Sequence, residues 1–179
     1  RIRLNIGSLR SVIREMLVRE IDIDDVSDVK CTTGSTHTMK TCKIGDRKFF
    51  LKFSDASLFD SVDPSLQILV EYLAYEIYRL YPSVRIPDVE PVYDRKGKRV
   101  GLATSAVSGE AGLVKVNPKK LGSMLSAGVF VDVFLANWDV VGTGTGNIIV
   151  SDGSATRIDP GGALTFRAQG GRKGQKFSG

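Results

Sequence analysis

VDVFLANWDVVGTGTGNIIVSDGSATRIDPGGALTFR, Val131 to Arg167, is the stretch on which the reading of this chain turns. An apolar, helix-like run, Val129 to Leu135, leads into it. Asp139, Asn147 and Asp159 then follow within one short segment. Asn147 to Val150 reads as a short buried strand, Ser151-Asp152-Gly153-Ser154 as a tight turn, and Ala155 to Ile158 as the return strand. A hairpin brings its two ends together, so Asn147 and Asp159 are expected side by side. An amide oxygen beside a carboxylate is a hard oxygen donor set, the kind Mg²⁺ takes while it also holds substrate phosphates. Asp139, on the loop entering the hairpin, is placed to face the same spot.

The chain of 179 residues is 42% hydrophobic, enough for one good core or one domain of two lobes. No apolar run reaches the roughly 18 residues that span a membrane, and Arg1 to Asp25 mixes charges throughout, unlike a signal peptide. A cytoplasmic location without a membrane partner is the expectation. The first residue is Arg rather than Met, as in a piece of a larger or processed chain. Cys31 and Cys42 form neither a disulfide framework nor a zinc spacing and suit a reducing compartment. His37, the only histidine, argues against a His-based metal site or a Ser-His-Asp triad. Part of the net charge of +5 lies in a basic tail, Arg167, Arg172, Lys173 and Lys176, with no acid after Asp159. Such a tail reads first as solvated and second as a weak polyanion contact. No interleaved aromatics suggest a single-strand platform.

Upstream, Leu9, Ile13, Leu17 and Val18 recur at helical spacing over residues 8–20, with Ser8 as N-cap. Three strands follow: Ser27 to Thr32, Thr38 to Ile44 and Lys48 to Phe53. In the third, Phe49, Leu51 and Phe53 make one apolar face, and Phe50 and Lys52 take the other. Alone, Lys52 would be an ordinary solvent-facing lysine and Thr32 to Thr36 a polar turn. Asp63-Pro64 signals a helix start. Leu66, Leu69, Val70, Leu73, Ala74, Ile77 and Leu80 mark its apolar stripe, with Glu71 at the edge and Glu76 and Arg79 as exposed partners. Val89 to Tyr93 and Arg99 to Val107 read as strands around a charged turn, and residues 108–112 as a flexible linker. Asn117-Pro118 opens a second helical region, with Leu121, Met124, Leu125, Gly128, Val129 and Leu135 as its buried side.

The order of these features resembles the protein-kinase-like fold, in its atypical branch of HipA-type bacterial kinases and phosphoinositide kinases. It runs through a Gly/Ser/Thr loop, FFLKF, VEYLAYEIYRL, a linker, a loop Asp, an Asn and Asp-Pro-Gly, over residues 27–167. The resemblance implies an α+β fold of two lobes. Residues 1–107 would form an N-lobe of antiparallel sheet plus helix, 108–112 a hinge or linker, and 113–179 a small helical C-lobe, minimal or truncated. It implies that Gly34, Ser35 and Thr36 cover phosphates, that Lys52 places its charge on the nucleotide, and that Glu71 pairs with Lys52. Residues 103–107 resemble the adenine-holding hinge. Asp139 resembles the catalytic aspartate, and Asn147 and Asp159 resemble the Mg²⁺ ligands. Asp139 and Asn147 are eight residues apart, a longer gap than usual, and Asn137-Trp138-Asp139 stands where His-Arg-Asp is usual. Arg167 and Gln169 lie where an activation segment would begin.

The function expected is that of an ATP- and Mg²⁺-dependent kinase whose phosphate acceptor, a protein hydroxyl or a small molecule, is unknown. The alternatives are a nucleotide-binding pseudokinase or regulatory module, an AMP-transferring relative, and a basic interaction domain without catalysis.

Overall fold

The computed structural model describes residues 21–22, 32–33, 39–44, 47–53, 63–94, 96–111, 117–140, 146–167 and 171–174. The expected helix over residues 8–20 and the loop of Gly34, Ser35 and Thr36 lie outside them.

Strands β1 (Ile21–Asp22), β2 (Thr32–Thr33), β3 (Met39–Ile44), β4 (Arg47–Phe53), β5 (Val89–Tyr93) and β6 (Arg99–Ser105) form one sheet in the order β1-β5-β6-β4-β3-β2. All pairings are antiparallel except that of β1 with β5. Helix α1 (Pro64–Arg79) packs on one face. As the sequence signals, Asp63 caps it by accepting from the Ser65 N–H at 2.9 Å, with Pro64 in the first turn. A second sheet joins β7 (Glu110–Ala111), β8 (Ile148–Ser151) and β9 (Ser154–Arg157). Its β8–β9 hairpin turns through Asp152 and Gly153, both at positive φ, which Asp-Gly tolerates in a two-residue turn. Helices α2 (Pro118–Ser126) and α3 (Val129–Phe134) complete this part. The sequence predicts a helical part carrying the β8–β9 hairpin; β7 adds a third strand, so the part is mixed. Glu110–Ala111 forms a strand inside the segment read as a linker.

The β4 faces divide as expected. Phe49 and Leu51 pack with Cys42, Val92 and Ala103 on one side. On the other, Ile68 and Tyr75 of α1 meet Val89 and Leu102. A third cluster, Ala74, Tyr78, Val84, Val131, Leu135 and Ala163, joins α1 to α3.

Two expectations about helix faces fail. Helix α1 buries Ile68, Glu71, Ala74, Tyr75, Glu76 and Tyr78, whereas Leu69, Leu73 and Leu80 are 43%, 48% and 63% exposed. The helix is apolar on most sides, so its orientation is set by the polar groups it must satisfy, Glu71 and the two tyrosine hydroxyls, and not by its leucines. Glu76 does pair with Arg79 at 2.7 Å, but it is buried rather than exposed. In the second helical region Val129 is exposed, and Val131 takes the inward position with Leu135. Cys42 is disulfide-bonded, so the cysteines no longer argue for a reducing compartment; the chain's other cysteine, Cys31, lies outside the described residues. Among the described residues no helix is long and apolar enough to cross a membrane.

Candidate active site

Strand β4 is interior to the sheet, paired with β3 through Lys52↔Met39 and with β6 through Lys52↔Leu102. Lys52 is therefore fixed on the α1 side. Its ammonium donates to Glu71 Oε2 at 2.7 Å and to Asp159 Oδ1 at 3.1 Å. Glu71 sits one α1 turn before Tyr75, and its side chain is almost fully buried, whereas that of Asp159 is 53% exposed. Burial pulls the Lys52 pKa down, but the Glu71 and Asp159 carboxylates outweigh it and hold the ammonium above its ordinary range. Burial, helped by the Asp159 charge, pushes the Glu71 carboxyl up, and the Lys52 charge and hydrogen bond oppose this.

Asp159 follows β9 and adopts a left-handed conformation, φ 51°, which Asp tolerates better than most residues. Its backbone N–H donates to the Tyr75 hydroxyl at 2.9 Å. Burial holds the Tyr75 pKa well above its usual value, so this hydroxyl stays neutral. A 3₁₀ turn, Pro160–Gly162, comes next. At Gly161 a Cβ would lie 3.1 Å from Asp159 Oδ1, 3.3 Å from Glu71 Oε2 and 3.4 Å from Lys52 Nζ. The absence of a side chain there leaves room for the three charged groups to converge.

On the other limb of the hairpin, the Asn147 carbonyl accepts from the Ile158 N–H at 2.9 Å, which sets Asn147 beside the entry to Asp159. Asn147 Nδ2 donates to the Asp139 backbone carbonyl at 2.8 Å and to Asp139 Oδ2 at 3.1 Å. Both amide hydrogens are thus spent on Asp139, and the amide oxygen is the atom left to act as a ligand. Burial raises the Asp139 pKa, the Asn147 hydrogen bond lowers it, and the nearby Asp159 charge raises it.

Lys52, Glu71, Tyr75, Asn147 and Asp159 line one cavity of about 430 Å³. Its other walls include Met39, Phe50, Leu102, Thr104, Val107, Ile149 and Ile158, so the lining is largely apolar around the charged groups. Such a lining suits a ligand that is partly apolar and partly charged. Of the sequence-predicted site residues, Lys52, Glu71, Asn147 and Asp159 converge, and Asp139 joins them through Asn147. Thr104, Ser105 and Val107, from the stretch read as a hinge, line the same cavity. Among the described residues there is no cluster of three or more His, Cys, Asp or Glu side chains that would form a closed metal cage. One carboxylate, one amide oxygen and substrate phosphates would hold Mg²⁺ without one.

Sequence reasoning missed several supports. Tyr75 and Gly161 act only through contacts that span the fold. A buried network behind the site was also missed. Arg157, 4% exposed, binds Asp132 through Nε at 2.8 Å and Nη2 at 2.7 Å. Tyr78 Oη donates to Asp132 Oδ1 at 2.7 Å and accepts from Asn137 Nδ2 at 3.0 Å. The network ties β9, two residues before Asp159, to the loop that carries Asp139. The signal was present as polar residues inside apolar runs (Tyr78, Asp132), but their partners are far away in sequence.

No protein-family model and no curated protein sequence matches the chain. Among solved structures it is similar to the Helicobacter pylori proinflammatory kinase CtkA, with a TM-score of 0.55 at 12% identity over 85% of this chain. The aligned region spans 63% of that kinase. The likeness shows a kinase-like fold.

Proposed function

We propose that the chain is an ATP- and Mg²⁺-dependent phosphotransferase of the atypical kinase type, in the manner of HipA-type and phosphoinositide kinases. In this reading residues 1–107 and 113–179 are the two lobes, and the cavity between them takes the nucleotide. The observation that carries it is the convergence of Lys52, Glu71 and Asp159 in the wall of one largely apolar cavity.

Adenine would sit against Thr104 to Val107. Lys52, kept protonated, would put a fixed positive charge on the phosphates, and Glu71 would aim it. The Asp159 carboxylate and the Asn147 amide oxygen would hold Mg²⁺, which when bound neutralises charge on the phosphates. Asp139 would accept a hydrogen bond from the acceptor hydroxyl and orient it. The hydroxyl oxygen bonds to the γ-phosphorus as the bond to the ADP oxygen breaks, and the hydroxyl proton passes to Asp139 or to water. Positioning and charge neutralisation carry most of such a reaction, so this set suffices.

A second reading, nucleotide binding without phosphoryl transfer or with AMP transfer, is favoured by one feature: the Asp139 carboxylate is engaged by Asn147 across an unusually long gap. Incubation with ATP and Mg²⁺ followed by mass spectrometry of protein and nucleotide separates these outcomes. Phosphotransfer predicts ADP and an added phosphate, and the second reading predicts unchanged ATP or an added AMP. If Lys52→Ala and Asp159→Ala both leave nucleotide binding and turnover intact, neither reading stands.

A further inference from the structure

We propose that Lys173 is a positioning residue of this site: its ammonium clamps the loop entering Asp139 to the turn leaving Asp159. The inference rests on the phosphotransfer reading for its catalytic meaning and on geometry for the clamp.

Lys173 Nζ donates to the Ala136 carbonyl at 2.5 Å and to the Gly162 carbonyl at 2.8 Å. Ala136 stands three residues before Asp139, and Gly162 three after Asp159. One side chain therefore spans the two segments that carry the acceptor-orienting and the metal-binding carboxylates. Both segments are conformationally unusual. Ala136 has φ 47° and Leu164 φ 53°, the left-handed region that such residues seldom adopt, so each is held by its surroundings. A parallel tie, the Leu164 N–H to the Leu135 carbonyl, joins the same two segments.

Lys173 is itself aimed from the backbone. Its N–H donates to the Thr165 carbonyl at 2.8 Å, the Arg167 N–H donates to the Gly171 carbonyl at 2.7 Å, and Phe166 bridges Arg172. Phe166, 1% exposed, anchors this return of the chain in the core. Neither acceptor of the ammonium is a carboxylate, so the contact is two charge-assisted bonds to carbonyls and not an ion pair. Partial burial lowers the Lys173 pKa, as expected of an ammonium taken out of water. A lysine in a basic tail reads as solvated; here it turns back onto the site.

The test uses the whole chain with Lys173→Met and Lys173→Arg. Trp138 is the only tryptophan, 74% exposed and two residues past Ala136, so its quenching by acrylamide reports the Asp139 loop without any ligand. Lys173→Met should change that quenching and lower kcat for γ-phosphate release by about 10- to 100-fold, the scale for a small misplacement of reacting groups. The KM for ATP should move less than about threefold, because Lys52 and the apolar cavity are untouched. Lys173→Arg, which keeps the donors, should recover part of kcat. Wild-type kcat in Lys173→Met, or a loss carried equally by KM, overturns the proposal. If Lys173→Met does not fold, Lys173→Gln, which keeps donors for one carbonyl, replaces it: an intermediate kcat supports the clamp, and a wild-type kcat overturns it. If the wild type neither binds nor turns over Mg·ATP, the phosphotransfer reading fails and the catalytic role of Lys173 with it. Unchanged Trp138 quenching would then overturn the clamp as well, whereas altered quenching would sustain it as a loop tie alone.

Discussion

Removing the Lys52 ammonium should expose the cost of the Glu71 carboxylate. Lys52→Met keeps the length and volume of the side chain but leaves Glu71, 3% exposed, without its countercharge at 2.7 Å. A buried charge left alone costs about 3–5 kcal/mol. Protonation of Glu71 limits this loss. At about 1.4 kcal/mol per pH unit, holding a carboxyl neutral at pH 7 against an ordinary pKa of about 4.5 costs about 3.4 kcal/mol. The Asp159 contact adds little, because that carboxylate is half exposed. We therefore expect Lys52→Met to lose about 3 kcal/mol at pH 7, or about 6–12 °C in Tm for a chain of this size. The sign with pH follows from the direction of the shift. Without Lys52 the folded-state pKa of Glu71 rises further above its unfolded value. The neutral form is then fully stabilising below about pH 4.5, and that contribution is lost as pH rises. The deficit relative to wild type should thus shrink to below about 1 kcal/mol at pH 5. Urea denaturation at pH 5 and pH 7 measures it. Adding Glu71→Gln to Lys52→Met should restore most of the stability at pH 7. An equal deficit at both pH values, or no rescue by the second change, would refute the buried pair.

Gly161→Ala places a methyl group 3.1 Å from Asp159 Oδ1; it should cost about 1–3 kcal/mol of stability and weaken Mg²⁺-dependent ATP binding about tenfold, read by calorimetry. The Asp139 carboxyl, followed by carbon-detected NMR, should titrate lower in Asp159→Asn, which removes a neighbouring charge, and higher in Asn147→Ala, which removes a hydrogen bond to the carboxylate; shifts in the same direction would contradict the geometry. Arg157→Met leaves Asp132 buried without its countercharge, and should lose about 3–5 kcal/mol in urea, largely recovered by adding Asp132→Leu.

What the sequence made legible was local. The Asp63-Pro64 cap, the Asp152-Gly153 turn and the alternation along β4 are each decided by residues within a few positions of one another, and the structure has them all. The meeting of Asn147 with Asp159 was legible from the hairpin, but that of Lys52 and Glu71 with them only through the order of the elements, since no spacing links residue 52 to residue 159. The orientation of α1 was not legible. Leucines on several sides offer more than one apolar stripe, and the choice is made by Glu71 reaching Lys52 and by Tyr75 reaching the Asp159 N–H, 84 positions away. Lys173 was hidden for the same reason. Its acceptors are carbonyls, which carry no sequence signal, and its neighbours suggest a solvated tail. The disulfide at Cys42 escaped because the spacing of two cysteines does not say whether the fold brings their thiols together.

The proposed role of Asp159 is to hold Mg·ATP in this cavity. Calorimetric titration of ATP into the wild type and Asp159→Ala, each with and without Mg²⁺, tests it most directly. ATP should bind the wild type saturably and more tightly with Mg²⁺, and bind Asp159→Ala more weakly with no response to the metal. Equal binding with and without Mg²⁺, or an Asp159→Ala variant that keeps the full metal dependence, would contradict it.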